Sequence, residues 1–149
     1  MRIVIQRVTR ASVSIEGRVE SAIEKGMMVL LGVGYADTDD DIDWLVKKTI
    51  NLRIFNDSEG VMNLSVKDVE GSILVVSQFT LMASCKKGNR PSYIHAASPD
   101  VSVPLYERFF QRLSESLGKP VSTGVFGADM QVELVNDGPV TIVIDSKDK

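Results

Sequence analysis

The chain has 149 residues, 44% hydrophobic and 25% charged, the composition of a single globular domain over 1–149 that can bury a core. Seventeen basic residues against 20 acidic ones give a net charge of −3, which excludes broad, nonspecific nucleic-acid affinity but not a local basic contact with RNA. One cysteine and one histidine exclude an internal disulfide and a Cys/His zinc site; with no signal-peptide pattern and no membrane-length apolar run, they point to a reducing cytoplasm.

Met1 to Val8 sets Ile3 and Ile5 against polar neighbours and predicts a strand. Val13 to Ile23 predicts a hairpin that turns near Glu16-Gly17-Arg18. Gly26 to Gly34 is a dense apolar run, the pattern of a strand buried on both faces, and its glycines suggest close backbone approach. Thr38 to Leu52 predicts a helix with Ile42, Leu45, Val46, Thr49 and Ile50 on one face. Asp39, Asp40 and Asp41 crowd its first turn, where the helix dipole favours negative charge; consecutive helical positions diverge, so they read as an N-terminus rather than a metal site. Lys47 and Lys48 read as a solvated face.

Arg53 to Phe55 predicts a short strand, Asn56 to Gly60 a turn, and Ser65 to Val69 a short strand or loop edge. Ser72 to Leu81 predicts a strong strand, followed by a long loop from Ala83 to Ser98 of the kind that often carries function. A second helix, beginning near Pro99 or Val103, repeats Leu105, Phe109, Leu113 and Leu117 and stops at Gly118 and Pro120. Gly124 to Asp129 reads as a glycine-rich linker. Met130, Val132 and Leu134 alternate in a strand that Asn136-Asp137-Gly138-Pro139 interrupts and Val140 to Ile144 resumes. The fold class is a mixed α/β domain, many strands with about two helices.

Ser77-Gln78-Phe79-Thr80 brings two hydroxyls and an amide to the end of an apolar strand. It reads either as a strand reaching the surface or as a pocket edge whose N–H groups hold a reacting carbonyl. Asn136 to Pro139 has the residues of a hairpin turn, although Pro139 removes a donor where the next strand begins, and a Gly-Pro bond is one that can be cis. Gly124 to Met130 lacks a P-loop or dinucleotide spacing, but Phe126 could stack on a nucleotide base. Lys86, Lys87 and Arg90 form a basic loop that reads either as a phosphate contact or as ordinary surface charge, while Cys85 and His95 read as an inert lone cysteine and an ordinary loop histidine, or as a nucleophile and its base.

Five segments, in order, resemble the D-aminoacyl-tRNA deacylase family nearly end to end. They are Met1 to Val8, Ser77 to Leu81, Lys87 to Tyr93, Gly124 to Met130 and Asn136 to Thr141. A related branch acting on other mischarged tRNAs differs at Ser77 to Thr80, so the chain resembles the main branch. The resemblance implies a barrel-like core of β-sheets with two main helices. It implies a homodimer whose active sites lie at the interface, each joining Ser77, Gln78, Phe79 and Thr80 of one subunit to a cis Gly138-Pro139 motif of the other.

In this reading Gly138 and Pro139 exclude L-amino acids. Phe126, Gly127 and Met130 bind the terminal adenosine, and Arg7, grouped with them as a substrate-site residue, helps fix the Gly-Pro loop. Lys86, Lys87 and Arg90 are expected to touch tRNA phosphates. The expected partner is D-aminoacyl-tRNA, with no metal, cofactor, membrane or DNA. Two rivals stand beside it: a noncatalytic module gripping the tRNA end, and a peptidase or esterase using Ser77, Thr80 or Cys85 with His95.

Overall fold

The computed structural model describes residues 1–149. Its first strand, β1 (Arg2–Ile15), runs without a break through both the opening strand and the first arm of the expected hairpin. Glu16 and Gly17, at φ 51° and 78°, turn it into β2 (Arg18–Ile23), the two left-handed residues that a tight two-residue hairpin needs. β3 (Gly26–Gly32) then lies antiparallel to the first half of β1. α1 (Asp39–Asn51) follows, with Asp41 reaching back to accept the Thr38 N–H at 2.8 Å. It buries Ile42, Leu45, Val46, Thr49 and Ile50, the expected face.

β4 (Phe55–Asn56) and β5 (Met62–Leu64) form a small separate ribbon. Ser65 to Val69 is a turn rather than a strand: the Asp68 carboxylate accepts from the N–H and hydroxyl of Ser65, at 2.8 and 2.9 Å, and closes the backbone locally. β6 (Ser72–Ser77) is parallel to β3 and shorter than expected. Its ladder ends where the Gln78 N–H meets the Leu31 carbonyl at 2.8 Å, and Phe79–Met82 turns as a 3₁₀ helix. α2 (Pro99–Leu117) starts with Pro at its first position, where a missing N–H costs nothing, and ends on Gly118 at φ 85°. β7 (Ser122–Thr123) adds to the edge of β6, and β8 (Gln131–Asp145) runs antiparallel along β1.

The main sheet has the order β2-β1-β3-β6-β7, with β8 on the other side of β1, and it rolls into a nearly closed barrel. Alternation along the strands feeds two cores. Ile3, Ile5, Met27, Val29, Leu31, Ile73 and Val75 face α1 and α2, against Leu45, Phe109 and Leu113. Val8, Val13, Met28, Leu74 and Val76 fill the other side. That is why β3 is apolar throughout: both its faces are buried.

Asn136 to Pro139 is not a hairpin. β8 continues along β1 on both sides of it, with Asn136 opposite Val8 and Thr141 opposite Gln6. The residues Asp137 to Val140 bulge out opposite Arg7 alone. The Asn136 side chain closes the bulge, accepting the Val140 N–H at 3.1 Å and donating to the Thr141 hydroxyl at 3.0 Å.

The β3–β6 pairing requires Gly26. A Cβ built there would stand 1.8 Å from the Ser72 carbonyl oxygen, backbone that cannot move without opening the ladder. Gly26→Ala is expected to lower unfolding stability by roughly 2–3 kcal/mol, as overpacking at a rigid contact does. Urea titration measures this, and an unchanged midpoint would show that the ladder is not so constrained.

Candidate active site

Where β6 stops, the first N–H groups of the 3₁₀ turn, those of Phe79 and Thr80, have no acceptor within the turn itself. Ser77, Gln78 and Phe79 line a cleft of about 310 Å³ there. Its other wall is Phe126, Gly127, Ala128, Asp129 and Met130, with Val76 and Val132 completing it. The structure therefore brings together two segments nearly fifty positions apart: the polar strand end and the glycine-rich linker. The linker is held by main chain, since the Gly124 N–H bonds the Val75 carbonyl at 3.1 Å and Gly127 turns at φ 77°. Gly124 also leaves room for the Met130 sulfur, 2.5 Å from where a Cβ would stand.

Tyr106 supports both walls from beneath. Its hydroxyl donates to the Val75 carbonyl at 3.2 Å, and its ring lies 5.7 Å from that of Phe126. Burial pushes its pKa up to about 12, so it stays a protonated donor at neutral pH rather than a base. The helical periodicity shows Tyr106 only as one more aromatic of α2. Asp129, the one ionisable side chain lining the cleft, was legible only as part of its segment.

Thr80 is half-buried and does not line the cleft. Its hydroxyl oxygen accepts a hydrogen bond from the Gln78 amide. An amide N–H cannot take a proton, so nothing bonded to this hydroxyl activates it as a nucleophile. Cys85 and His95 lie elsewhere: both line a larger depression with Lys86, Arg2 and Asp37, which shares no lining residue with the cleft.

The loop carrying Lys86, Lys87 and Arg90 is exposed, and none of the three forms an ion pair. It is tethered to the site. Ser84 and Ser92 exchange backbone hydrogen bonds at 2.8 and 2.9 Å, and Tyr93 meets Phe79 edge-on at 5.0 Å between ring centres. Arg2 adds a bond to the Leu81 carbonyl at 2.7 Å.

Arg7, Gly138 and Pro139 do not line this cleft. Arg7 is buried, donating to the carbonyls of Asp137 at 3.0 Å and Ile54 at 2.7 Å. It thus holds the base of the bulge that carries Gly138 and Pro139, which are exposed and joined by a cis peptide bond. Gly138 sits at φ 128°, and a Cβ there would strike the Arg7 guanidinium at 2.9 Å and the Val140 side chain at 2.9 Å. Val132 of β8 lines the cleft, but Gly138 is six residues further along the strand, roughly 20 Å away.

A family model described as D-Tyr-tRNA(Tyr) deacylase matches residues 4–145. A protein of Bacteroides fragilis named D-aminoacyl-tRNA deacylase is 65% identical over 149 residues, covering 100% of this chain and 99% of its own. One of the same name from Flavobacterium johnsoniae is 60% identical with the same coverage. Among solved structures, one titled c-Myc DNA Unwinding Element Binding Protein superposes with a TM-score of 0.93 at 42% identity, over 97% of this chain and 98% of that one. A probable eukaryotic D-amino acid tRNA deacylase superposes at 0.82 over 96% and 97%, and at 20% identity it speaks for the fold alone. With a matching model over nearly the whole chain and full-length relatives at this identity, the chain belongs to the D-Tyr-tRNA(Tyr) deacylase family.

Proposed function

We propose that the protein hydrolyses the ester of D-aminoacyl-tRNA in the cytoplasm, as a homodimer whose clefts are each completed by Gly138-Pro139 of the other copy. The observation that carries this reading is the cleft itself, in a chain of this family: Ser77 to Phe79 on one wall, Phe126 to Met130 on the other. Phe126 and Met130 offer an apolar, aromatic seat for the terminal adenine. Asp129, the one ionisable side chain on that lining, suits the substrate's α-ammonium group.

Hydrolysis needs little more than positioning. Water adds to the ester carbonyl and negative charge develops on its oxygen; the Phe79 N–H at the cleft edge holds that charge, with the Thr80 N–H next to it in the chain as a second donor that a substrate reaching past the cleft lining would meet. The bond to the ribose oxygen then breaks and that oxygen takes a proton, releasing the free D-amino acid and tRNA. The RNA's own 2′-hydroxyl serves as the proton relay, so no side-chain base is required.

Gly138 and Pro139 favour action on a second copy. They are exposed, braced by Arg7 and Asn136, and outside the cleft of their own protomer. A rim of main-chain atoms rejects an L side chain whatever its chemistry, while a D side chain points to solvent. Glycine has no side chain to reject, so glycyl-tRNA is also admitted. Lys86, Lys87 and Arg90 hold phosphates beside the site.

Purified protein offered matched D- and L-aminoacyl-tRNA should release only the D-amino acid. Equal turnover of both, or tight tRNA binding without turnover, would remove the assignment. Light scattering should give about twice the 16.4 kDa chain mass, and a fully active monomer would exclude the composite site.

Two substitutions separate backbone from hydroxyl. Thr80→Ala should keep activity within about tenfold of wild type. Phe79→Pro removes one N–H at the first position of the turn, where proline fits best, and should cost about 10²–10³ in kcat. Phe79→Ala controls for the lost ring. A several-thousandfold loss in a folded Thr80→Ala protein would return the hydroxyl to the nucleophile's role.

A further inference from the structure

α1 separates its charges by direction. Asp39 and Asp43 turn toward α2, where Arg108 bonds Asp39 at 2.9 Å and Arg112 bonds Asp43 at 2.7 Å. Asp41 is bonded by Lys147 at 2.8 Å. Three of the helix's four carboxylates are therefore paired within the chain, Asp39 and Asp43 at the surface and Asp41 buried.

Its positive charge is not. Trp44, Lys47, Lys48 and Asn51 recur at helical spacing on one stripe, and with Leu52 and Arg53 they line a depression of about 520 Å³. Lys47, Lys48 and Arg53 form no ion pair. The Lys48 ammonium lies 5.4 Å from the Trp44 ring centre, and that of Lys149 lies 5.1 Å from it. Arg53 is oriented by a bond from Nε to the Asn63 carbonyl at 3.0 Å. Cations gathered around one ring repel one another; the ring's negative face offsets part of that, and an anionic ligand would relieve the rest. Lys47 and Lys48, which the sequence presents as a plain solvated face, are half of this cluster.

The depression also has a place relative to the substrate. Arg53 adjoins Ile54, whose carbonyl accepts from Arg7, and Arg7 bonds the Asp137 carbonyl at the base of the Gly138 bulge. Arg7 thus ties the loop proposed to enter the partner's cleft to the main chain one residue beyond the depression.

We propose that this depression is an RNA phosphate site, which holds the duplex part of a tRNA whose aminoacylated end lies in the cleft of the partner copy. This rests on the composite-site reading above. Phosphate is favoured because unpaired cations dominate the lining and only Trp44 and Leu52 are apolar, too little for a protein helix or an apolar peptide.

The test is a Lys47→Gln/Lys48→Gln/Arg53→Gln triple variant of the full chain; all three positions are exposed, and glutamine keeps a good helix former at the two that lie on α1. Binding of uncharged tRNA and of a short oligonucleotide ending in CCA is measured against salt. The variant should bind tRNA about tenfold or more weakly at low salt, with the slope of log affinity on log salt flatter by about 2–3. Binding of the oligonucleotide, which has no duplex, should be unchanged, and for charged substrate KM should rise while kcat holds. Unchanged tRNA binding and slope would overturn the proposal, even if the variant lost affinity for some protein. So would equal loss on both ligands, which would mean damage to the cleft. Wild-type turnover tests the catalytic reading separately, so the two can fail independently.

Discussion

The parallel ladder between β3 and β6 is the constraint from which the site follows. Gly26 lets the two backbones come together at one end, and the Gln78 N–H bonded to the Leu31 carbonyl closes the other. Beyond that bond β6 has no partner to continue along. The chain must turn, and a 3₁₀ turn begins with N–H groups it cannot satisfy internally. The same ladder sets the register that puts Val75 in place to accept from Gly124 and Tyr106, and these two bring the second wall of the cleft to the first. A polar strand end becomes half of a pocket because the ladder stops there.

β8 supplies a second consequence. It is one strand along β1, yet its two halves differ: Val132 lines the cleft, while Gly138 and Pro139 stand out on a braced bulge. Arg7 makes the bulge rigid by joining it to Ile54, and Asn136 seals it from within. An exposed loop with this much internal support is built to hold a shape against something. In the account proposed here that something is the substrate of a second copy, which would explain a preformed loop so far from its own cleft.

Much of this was legible in the residues. The helices, the buried run of β3 and the left-handed turn at Glu16-Gly17 follow from periodicity and turn chemistry, which are local. The end of β6 was not legible, because Ser72 to Leu81 reads as a continuous strand and only the length of its partner β3 decides where pairing stops. Asn136 to Pro139 reads as a hairpin because those residues favour turns; that the chain resumes its direction along β1 is a matter of register, set by residues more than a hundred positions away. Arg7 carries no sign in its neighbours that it will be buried and tied to Asp137 and Ile54. The cleft itself joins segments whose proximity only the closed sheet determines, so composition and spacing could nominate its walls but not their meeting.

The claim that most needs direct measurement is that each site is shared between two copies. A chain carrying Phe79→Pro and one carrying Gly138→Val can be co-expressed with different tags, and the mixed dimer isolated. If the loop acts across the interface, one site of the mixed dimer carries both lesions and the other carries neither. The mixed dimer should then turn over D-aminoacyl-tRNA at about half the wild-type rate while each parent is nearly inactive. A mixed dimer no more active than its parents would contradict the account, because each lesion would then disable the site of its own chain.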